Sequence, residues 1–123
     1  MIFDHIGVPA SDLKRSKDFF CKALAPLGIG VVMEVSGAVG LGKGKKPSLW
    51  LGEHKEKRSP LHIAFVAENR EQVRAFYRAA LAAGALDNGA PGIRKHYHPS
   101  YYAAFVIGPD GHNVEAVCHQ PET

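Results

Sequence analysis

The chain has 123 residues, of which 46% are hydrophobic and 22% charged, and its formal net charge is +3. This length allows one domain with a single core, and the composition excludes a disordered chain. No apolar run approaches the roughly 20 residues of a membrane span, and the N-terminus lacks the succession of a signal peptide. We therefore expect a cytoplasmic protein without a membrane partner.

Basic residues in two predicted loops, 43–46 and 55–58, account for much of the positive charge. No aromatic side chains interleave them, so we expect no nucleic-acid partner. Cys21 and Cys118 fall in a predicted helix and a predicted strand, where small buried thiols are common. The cysteines therefore fit a reducing compartment.

The first half of the chain predicts the order β-α-β-β-β. A strand at 2–8 ends before Pro9, and Ser11 or Asp12 can cap the helix that follows. Gly28 marks the end of this helix. Three short strands are then predicted at 29–35, 38–41 and 48–51.

The second half repeats the beginning of the first. A strand at 61–66 precedes Asn69, which can cap a helix that stops at Gly84. Shifting the first half forward by 57 positions places His5 on His62 and gives seven identities over positions 5 to 25. The other identical pairs are Ile6 and Ile63, Ala10 and Ala67, Phe19 and Phe76, Ala23 and Ala80, Leu24 and Leu81, and Ala25 and Ala82. A duplicated unit explains these matches, and such a repeat decides the fold class.

The end of the second unit is less regular than its beginning. A second β-α-β-β-β needs a strand near Leu86 or Ile93, followed by a strand at 101–107. Pro109 presets the backbone of a tight turn that Gly111 can close, and this turn leads into the last strand. The sequence thus predicts one α+β domain, 1–119, made of two paired units at about 1–53 and 60–119, with a tail at 120–123.

Glu115 lies in the middle of the last strand, between Val114 and Ala116. A carboxylate in such apolar surroundings is expected to be partly buried, and buried carboxylates are rarely left without a cation or a metal. A lone strand glutamate is more often an edge residue in water, and a lone strand histidine is more often structural than a ligand. The repeat shifts this balance, because His5 and His62 occupy equivalent positions on paired units and can converge.

Two imidazoles and a carboxylate form a 2-His-1-carboxylate set. Such a set binds one divalent metal ion, Fe, Mn, Zn or Ni, and leaves coordination positions open to a substrate. We therefore predict that His5, His62 and Glu115 are metal ligands.

The double β-α-β-β-β pattern, the histidine that opens each unit and the turn before Glu115 together resemble the vicinal oxygen chelate superfamily. This superfamily includes glyoxalase I, fosfomycin-resistance enzymes, extradiol dioxygenases and bleomycin-resistance proteins. The resemblance covers essentially the whole chain. It implies two paired units that form a curved sheet around a cavity, with helices outside and commonly a homodimer. The family's metal positions fall on His5, His62 and Glu115.

The resemblance does not select one activity. Glyoxalase I takes a fourth ligand from the strand position that Trp50 occupies here, and fosfomycin enzymes use threonine and tyrosine where Gly7 and Phe105 stand. Extradiol dioxygenases match all three ligands but are usually much longer, whereas bleomycin-resistance proteins generally lack the triad. By the same comparison, Trp50 and Phe105 face the cavity.

A run of histidines and tyrosines, 96–102, enters a strand of the expected cavity wall. Its imidazoles and phenols could supply an acid or a base, and we predict catalytic roles for His98 and Tyr101. Contacts with a small-molecule substrate are predicted for Trp50, Arg94, His96 and Phe105. The alternative is a loop packed against a dimer partner, where aromatic residues are common. No role is assigned to His54, His112 or His119.

The leading hypothesis is a small homodimeric metalloenzyme. It would bind a small oxygen-chelating organic substrate and carry out lyase, isomerase or extradiol dioxygenase chemistry, with the ion as a Lewis acid. The alternative hypothesis is a metal-independent binding or sequestering protein of the bleomycin-resistance type, in which aromatic residues such as Trp50 and Tyr101 hold an organic ligand.

Overall fold

The computed structural model describes residues 3–56 and 58–121, and it confirms an α+β domain built from two units. The first unit contains β1 (Ile6–Ala10), α1 (Leu13–Leu24), β2 (Gly30–Val35), β3 (Ala38–Gly42) and β4 (Leu49–Glu53). The second contains β5 (His62–Val66), α2 (Arg70–Ala82), β6 (Leu86–Asp87), β7 (Gly92–Ile93), β8 (Tyr102–Ile107) and β9 (Asn113–Cys118). Neither helix of the described residues combines the length and apolarity that a membrane span requires.

The first strand differs from its prediction. It begins at Ile6 and runs through Pro9 to Ala10, so the expectation that Pro9 ends the strand is wrong. Among the described strands β1 pairs only with β4, so a proline whose nitrogen faces the other side removes no ladder hydrogen bond. Predicted positions outside the described residues are Met1 and Ile2 at the start, Lys57 in the second basic loop, and Glu122 and Thr123 in the tail.

Each unit forms its own sheet. The strand order is β1-β4-β3-β2 in the first sheet and β5-β9-β8-β6 in the second, where β7 also pairs with β8. In both sheets the first strand of the unit lies parallel to the last, with Ile6 opposite Leu49 and His62 opposite Asn113. Both sequence regions considered for the missing strand, near Leu86 and near Ile93, are short strands. In the part of the chain that the structure describes, β1 and β5 are the end strands of their sheets, and each pairs with one other strand.

Both helices begin at the predicted caps. The side chain of Asp12 accepts a hydrogen bond from the N–H of Arg15 at 3.1 Å, and that of Asn69 accepts from Gln72 at 2.8 Å. These bonds satisfy amide groups that have no partner inside the first helical turn. After α1 the chain turns at Gly28, whose φ of 80° favours glycine.

The helices pack against each other and against one face of each sheet. The repeat predicts this core, since Phe19, Phe76, Ala23 and Ala80 are all buried. One matched pair departs from the symmetry, because Leu24 is fully buried whereas Leu81 is 36% exposed. Because side chains alternate across a strand, the opposite face of each sheet, which carries Trp50 in the first and His62 in the second, points away from the helices.

Polar contacts tie the two units together beside the turn between β8 and β9. The ring of His112 is 1% exposed, with Nε2 at 2.9 Å from the carbonyl oxygen of Pro9 and Nδ1 at 3.0 Å from the amide nitrogen of Leu61. A carbonyl only accepts and an amide only donates, so the ring proton is on Nε2. Nearby, the carboxylate of Asp110 accepts hydrogen bonds from the backbone N–H of Ser11, at 3.0 Å, and from its hydroxyl.

Acid should weaken the contact between Asp110 and Ser11. Burial would raise the pKa of Asp110, but the hydrogen bonds from Ser11 outweigh burial and lower that pKa. A carboxylate with a lower pKa in the folded state stabilises the fold above its unfolded pKa, and that contribution is lost as the pH falls through the folded value. We therefore expect wild-type stability to fall more steeply below about pH 4 than the stability of Asp110→Asn.

Urea unfolding of both proteins between neutral pH and about pH 3 would measure this difference. Asp18→Asn is the matched control, because it removes an exposed carboxylate that bonds Lys22 on the surface of α1. Parallel pH profiles for wild type and Asp110→Asn would show that the prediction is wrong.

Candidate functional site

The centre of the candidate site is the carboxylate of Glu115 on β9. Its side chain is 1% exposed, and its Oε1 lies 2.7 Å from Nε2 of His62 on the neighbouring strand β5. Its Oε2 accepts a hydrogen bond from the hydroxyl of Tyr101 at 2.5 Å. Burial and the hydrogen bond to Glu115 raise the pKa of Tyr101, so the phenol keeps its proton and is a donor rather than a base. The carboxylate is thus held from both sides.

Strand alternation puts these groups on the sheet face that points away from the helices. Phe105 lies directly opposite Glu115, and the ring of His62 lies 6.1 Å from the ring of Phe105. Tyr101 precedes β8 by one residue and has the parity of Phe105, so both point to the same side. Ala64, opposite Glu115 on β5, is small and leaves room for the ring of His62 two residues earlier.

His5 lies in the other unit, just before β1, and its side chain is 57% exposed. Its Nδ1 donates to Oδ1 of Asp4 at 2.8 Å, and Oδ2 of Asp4 lies 2.6 Å from Nζ of Lys46. Because a carboxylate only accepts, Nδ1 of His5 carries a proton, and the tautomer with this proton has its lone pair on Nε2. A carboxylate behind the other nitrogen is the usual partner of a metal-binding histidine.

Within one chain the structure brings His62 to Glu115 and leaves His5 apart. Over residues 3–56 and 58–121, no three histidine, cysteine, aspartate or glutamate side chains come together closely enough to hold a metal ion. The pair that does form brings one imidazole nitrogen and one carboxylate oxygen to 2.7 Å from each other, as a hydrogen bond. These are donor types that divalent transition metals accept.

His98 lies beside His119 rather than beside Glu115. Its Nε2 is 2.8 Å from Nδ1 of His119, and its Nδ1 accepts from the N–H of Ser100 at 3.0 Å. The rings of both histidines contact the ring of Tyr101 edge-on, at centroid distances of 5.4 and 5.2 Å. His98 therefore packs against the ring of Tyr101, and the hydroxyl of Tyr101 donates to the carboxylate of Glu115.

Two further predicted residues lie near this face. The guanidinium carbon of Arg94 is 5.3 Å from the ring centre of Phe105, and its Nη2 donates to the carbonyl of Ala90 at 2.8 Å. His96 is exposed and packs on Tyr97, with ring centres 4.1 Å apart. Arg94 thus borders the open face of the second sheet beside Phe105. His96 instead contacts Tyr97.

Trp50 lies on the open face of the first sheet, opposite Gly7 on β1 and Gly40 on β3. A Cβ atom on Gly40 would lie 3.0 Å from Cη2 of Trp50 and 2.8 Å from Cβ of Pro47. The indole therefore reaches over β3 to a place beside Gly40 that a larger residue would crowd. Its outer face is available as the wall of a ligand cavity.

The model of the Glyoxalase/Bleomycin resistance protein/Dioxygenase superfamily matches residues 2–116. The chain belongs to this superfamily. A solved glyoxalase/bleomycin resistance protein from Albidiferax ferrireducens is 26% identical, with a TM-score of 0.78 over 98% of this chain and 100% of that chain. A glyoxalase/bleomycin resistance protein/dioxygenase family enzyme from Burkholderia phytofirmans is 18% identical, with a TM-score of 0.75 over 95% and 98% of the two chains. The oxidase ChaP-H2 is 21% identical, with a TM-score of 0.70 over 99% and 95%.

No curated protein matches the sequence. Membership of the glyoxalase superfamily therefore establishes the fold, and the activity has to be argued from the site. The sequence analysis assigned no role to Asp4 or His119. Asp4 is hydrogen-bonded to His5, and His119 is hydrogen-bonded to His98. Asp4 is adjacent to His5 and could have been found from that spacing, whereas His119 is 21 residues from His98 and gave no local signal.

Proposed function

We propose that the protein is a metal-dependent enzyme that acts on a small oxygen-chelating organic substrate. The observation that carries the proposal is the buried carboxylate of Glu115, held between the imidazole of His62 and the phenol of Tyr101. Burying a carboxylate is unfavourable unless it is paired, and this pairing brings a nitrogen and an oxygen ligand within 2.7 Å of each other. Nitrogen and oxygen ligands suit Fe, Mn, Zn and Ni.

We propose that His5 completes the ligand set when two copies of the chain associate. β1 and β5 are the end strands of their sheets, and His5 and His62 lie at their starts. A two-fold dimer can place β1 of one copy near β5 of the other and create two equivalent sites. Exposed apolar side chains near both strands, Phe3 at 60% and Val66 at 64%, would be covered by this association.

A divalent ion at this site would hold adjacent oxygens of the substrate and stabilise negative charge on them, which serves lyase, isomerase and dioxygenase chemistry alike. The hydroxyl of Tyr101 donates to the carboxylate of Glu115 and so fixes the orientation of that carboxylate. The ring of His98 packs against the ring of Tyr101 and holds it in place. Phe105 and Trp50 would exclude water from two sides of the substrate. Tyr101 and His98 thus contribute by positioning the carboxylate.

A subunit-mixing experiment tests the metal site and its location. Neither His5→Ala nor His62→Ala should hold stoichiometric metal after anaerobic reconstitution with Fe(II), Mn(II), Ni(II) or Zn(II). In a dimer that contains one copy of each variant, one of the two sites receives both histidines intact. Random reassociation of the two variants should therefore restore metal to about a quarter of the sites.

His96→Ala is the matched control, because it removes an exposed histidine and should retain full metal content. Metal content that stays at zero after mixing would refute a site shared between copies. Absence of bound metal in the wild type with all four ions would refute the enzyme proposal.

One observation favours the second candidate function, a metal-independent binding protein. In a single chain His62 and Glu115 already satisfy each other, and His5 is bonded to Asp4, so the fold is complete without an ion. Aromatic side chains such as Trp50 and Tyr101 would then hold the ligand. Affinity for an organic ligand that survives simultaneous replacement of His5, His62 and Glu115 by alanine would support this candidate over the enzyme.

A further inference from the structure

The open face of the first sheet borders a cavity of about 440 Å³. One side is formed by β1 at Gly7, another by β4 at Trp50, and the third by the segment after β4, which contributes His54 and Arg58. None of the three proposed metal ligands lines this space. The cavity is built from the first unit and the link to the second, so it exists within a single chain.

Glycines create the space and its flat wall. A Cβ atom on Gly7 or Gly52 would meet nothing within 4 Å, so both positions face open volume. At Gly40 the same atom would lie 3.0 Å from the indole of Trp50, tighter than an ordinary contact, so glycine lets the ring approach the sheet. The cavity therefore has an indole in its wall, which favours flat apolar groups.

Arg58 brings a permanent positive charge to this apolar wall. Its Nη2 lies 3.4 Å from Nδ1 of His54, which is longer than a strong hydrogen bond. A guanidinium has five N–H donors, so this contact with the described residues uses at most one of them. No acidic side chain is among the described residues that line the cavity. A guanidinium beside an indole, with no carboxylate among the described lining residues, is suited to an anion with an apolar body.

We propose that this cavity binds an organic carboxylate with a flat apolar body, the carboxylate on Arg58 and the body on Trp50. The planar guanidinium matches a carboxylate with two parallel hydrogen bonds. One guanidinium balances one negative charge, whereas a phosphate monoester would bring an excess of negative charge. The proposal rests on the proposed function in one respect. Gly7 in the cavity wall lies two residues after the proposed ligand His5, so such a carboxylate would be the substrate class of the metal site.

Trp50 is the one tryptophan of the chain, so its fluorescence reports on this cavity. The full chain would be titrated with benzoate, with neutral benzamide and with phenyl phosphate, before and after metal reconstitution. We expect benzoate to bind more tightly than the other two compounds. Arg58→Gln should weaken benzoate by about tenfold or more, as expected for loss of a charged hydrogen bond, and should leave benzamide unchanged.

Two variants complete the comparison. Arg58→Lys keeps the charge without the planar fork and should give an intermediate affinity, and Arg78→Gln, on the exposed surface of α2, should behave as wild type. Equal affinities for benzoate and benzamide, or tighter binding of phenyl phosphate, would overturn the inference. Because the titration works without metal, its failure is distinguishable from a failure to bind metal. A failure to bind metal would overturn the proposed function and the substrate assignment, and would leave carboxylate binding in the cavity to be judged by the titration.

Discussion

Replacing Glu115 with glutamine should lower the affinity for metal by at least about 100-fold, since even residues that only orient a ligand contribute about 10- to 100-fold. Glutamine keeps the length and shape of the side chain, so the hydroxyl of Tyr101 and the ring of His62 can stay in place. Its neutral oxygen no longer balances the charge of a divalent ion. Calorimetric titration of metal-stripped protein with Ni(II) or Zn(II) would measure the loss, and circular dichroism would verify the fold.

Glu53→Gln is the matched control for this experiment. Glu53 is also a strand glutamate, but it is exposed at the end of β4, three positions beyond the site at which glyoxalase I enzymes take a fourth ligand. We expect this variant to bind metal as the wild type does. An equal loss of metal affinity in both variants would contradict a specific ligand role for Glu115. Unchanged metal affinity in Glu115→Gln would show that Glu115 is not a ligand.

His112→Ala should destabilise the fold by about 3 kcal/mol, since it removes two hydrogen bonds and leaves a cavity where a buried ring had been. The ring bonds both Pro9, near the end of β1, and Leu61, before β5. Its loss therefore removes a hydrogen bond between the two units. Urea unfolding monitored by circular dichroism would report the change in the free energy of unfolding.

His96→Ala serves as the control for His112→Ala. The side chain of His96 is exposed, and a surface substitution of this kind changes stability by about 0.5 kcal/mol or less. His112→Gln should fall between the two, because glutamine can replace one of the two hydrogen bonds. A loss in His112→Ala no larger than that in His96→Ala would show that this histidine does not hold the units together.

The fold was predictable because its core follows local periodicity and a repeat. Asp12 and Asn69 cap the helices for reasons contained in a few consecutive residues, and the matched pair Phe19 and Phe76 marks the shared core. The repeat does not predict differences between its copies. Leu81 is exposed where Leu24 is buried, because burial depends on what each helix faces after the units have docked.

The candidate site was only partly predictable for the same reason. Alternation along the strands indicated which side chains share a face with Glu115, and the structure places Tyr101 and Phe105 there. Contacts between distant segments carry no such pattern. The partners of His112 lie 103 and 51 residues away, so nothing in its surroundings along the chain distinguishes this histidine from an ordinary surface residue.

The position of His112 has a practical consequence for genetic work. Its ring accepts a hydrogen bond from the amide of Leu61, the residue that immediately precedes His62. A substitution at His112 should therefore disturb β5, the strand that carries a proposed ligand. A selection that scores only loss of cellular function would recover substitutions at His112 together with those at His62. Thermal denaturation of the recovered proteins would rank them, since a His112 variant loses a buried ring with two hydrogen bonds and should melt at the lowest temperature. A His62 variant leaves Glu115 its hydrogen bond from Tyr101 and should lose less.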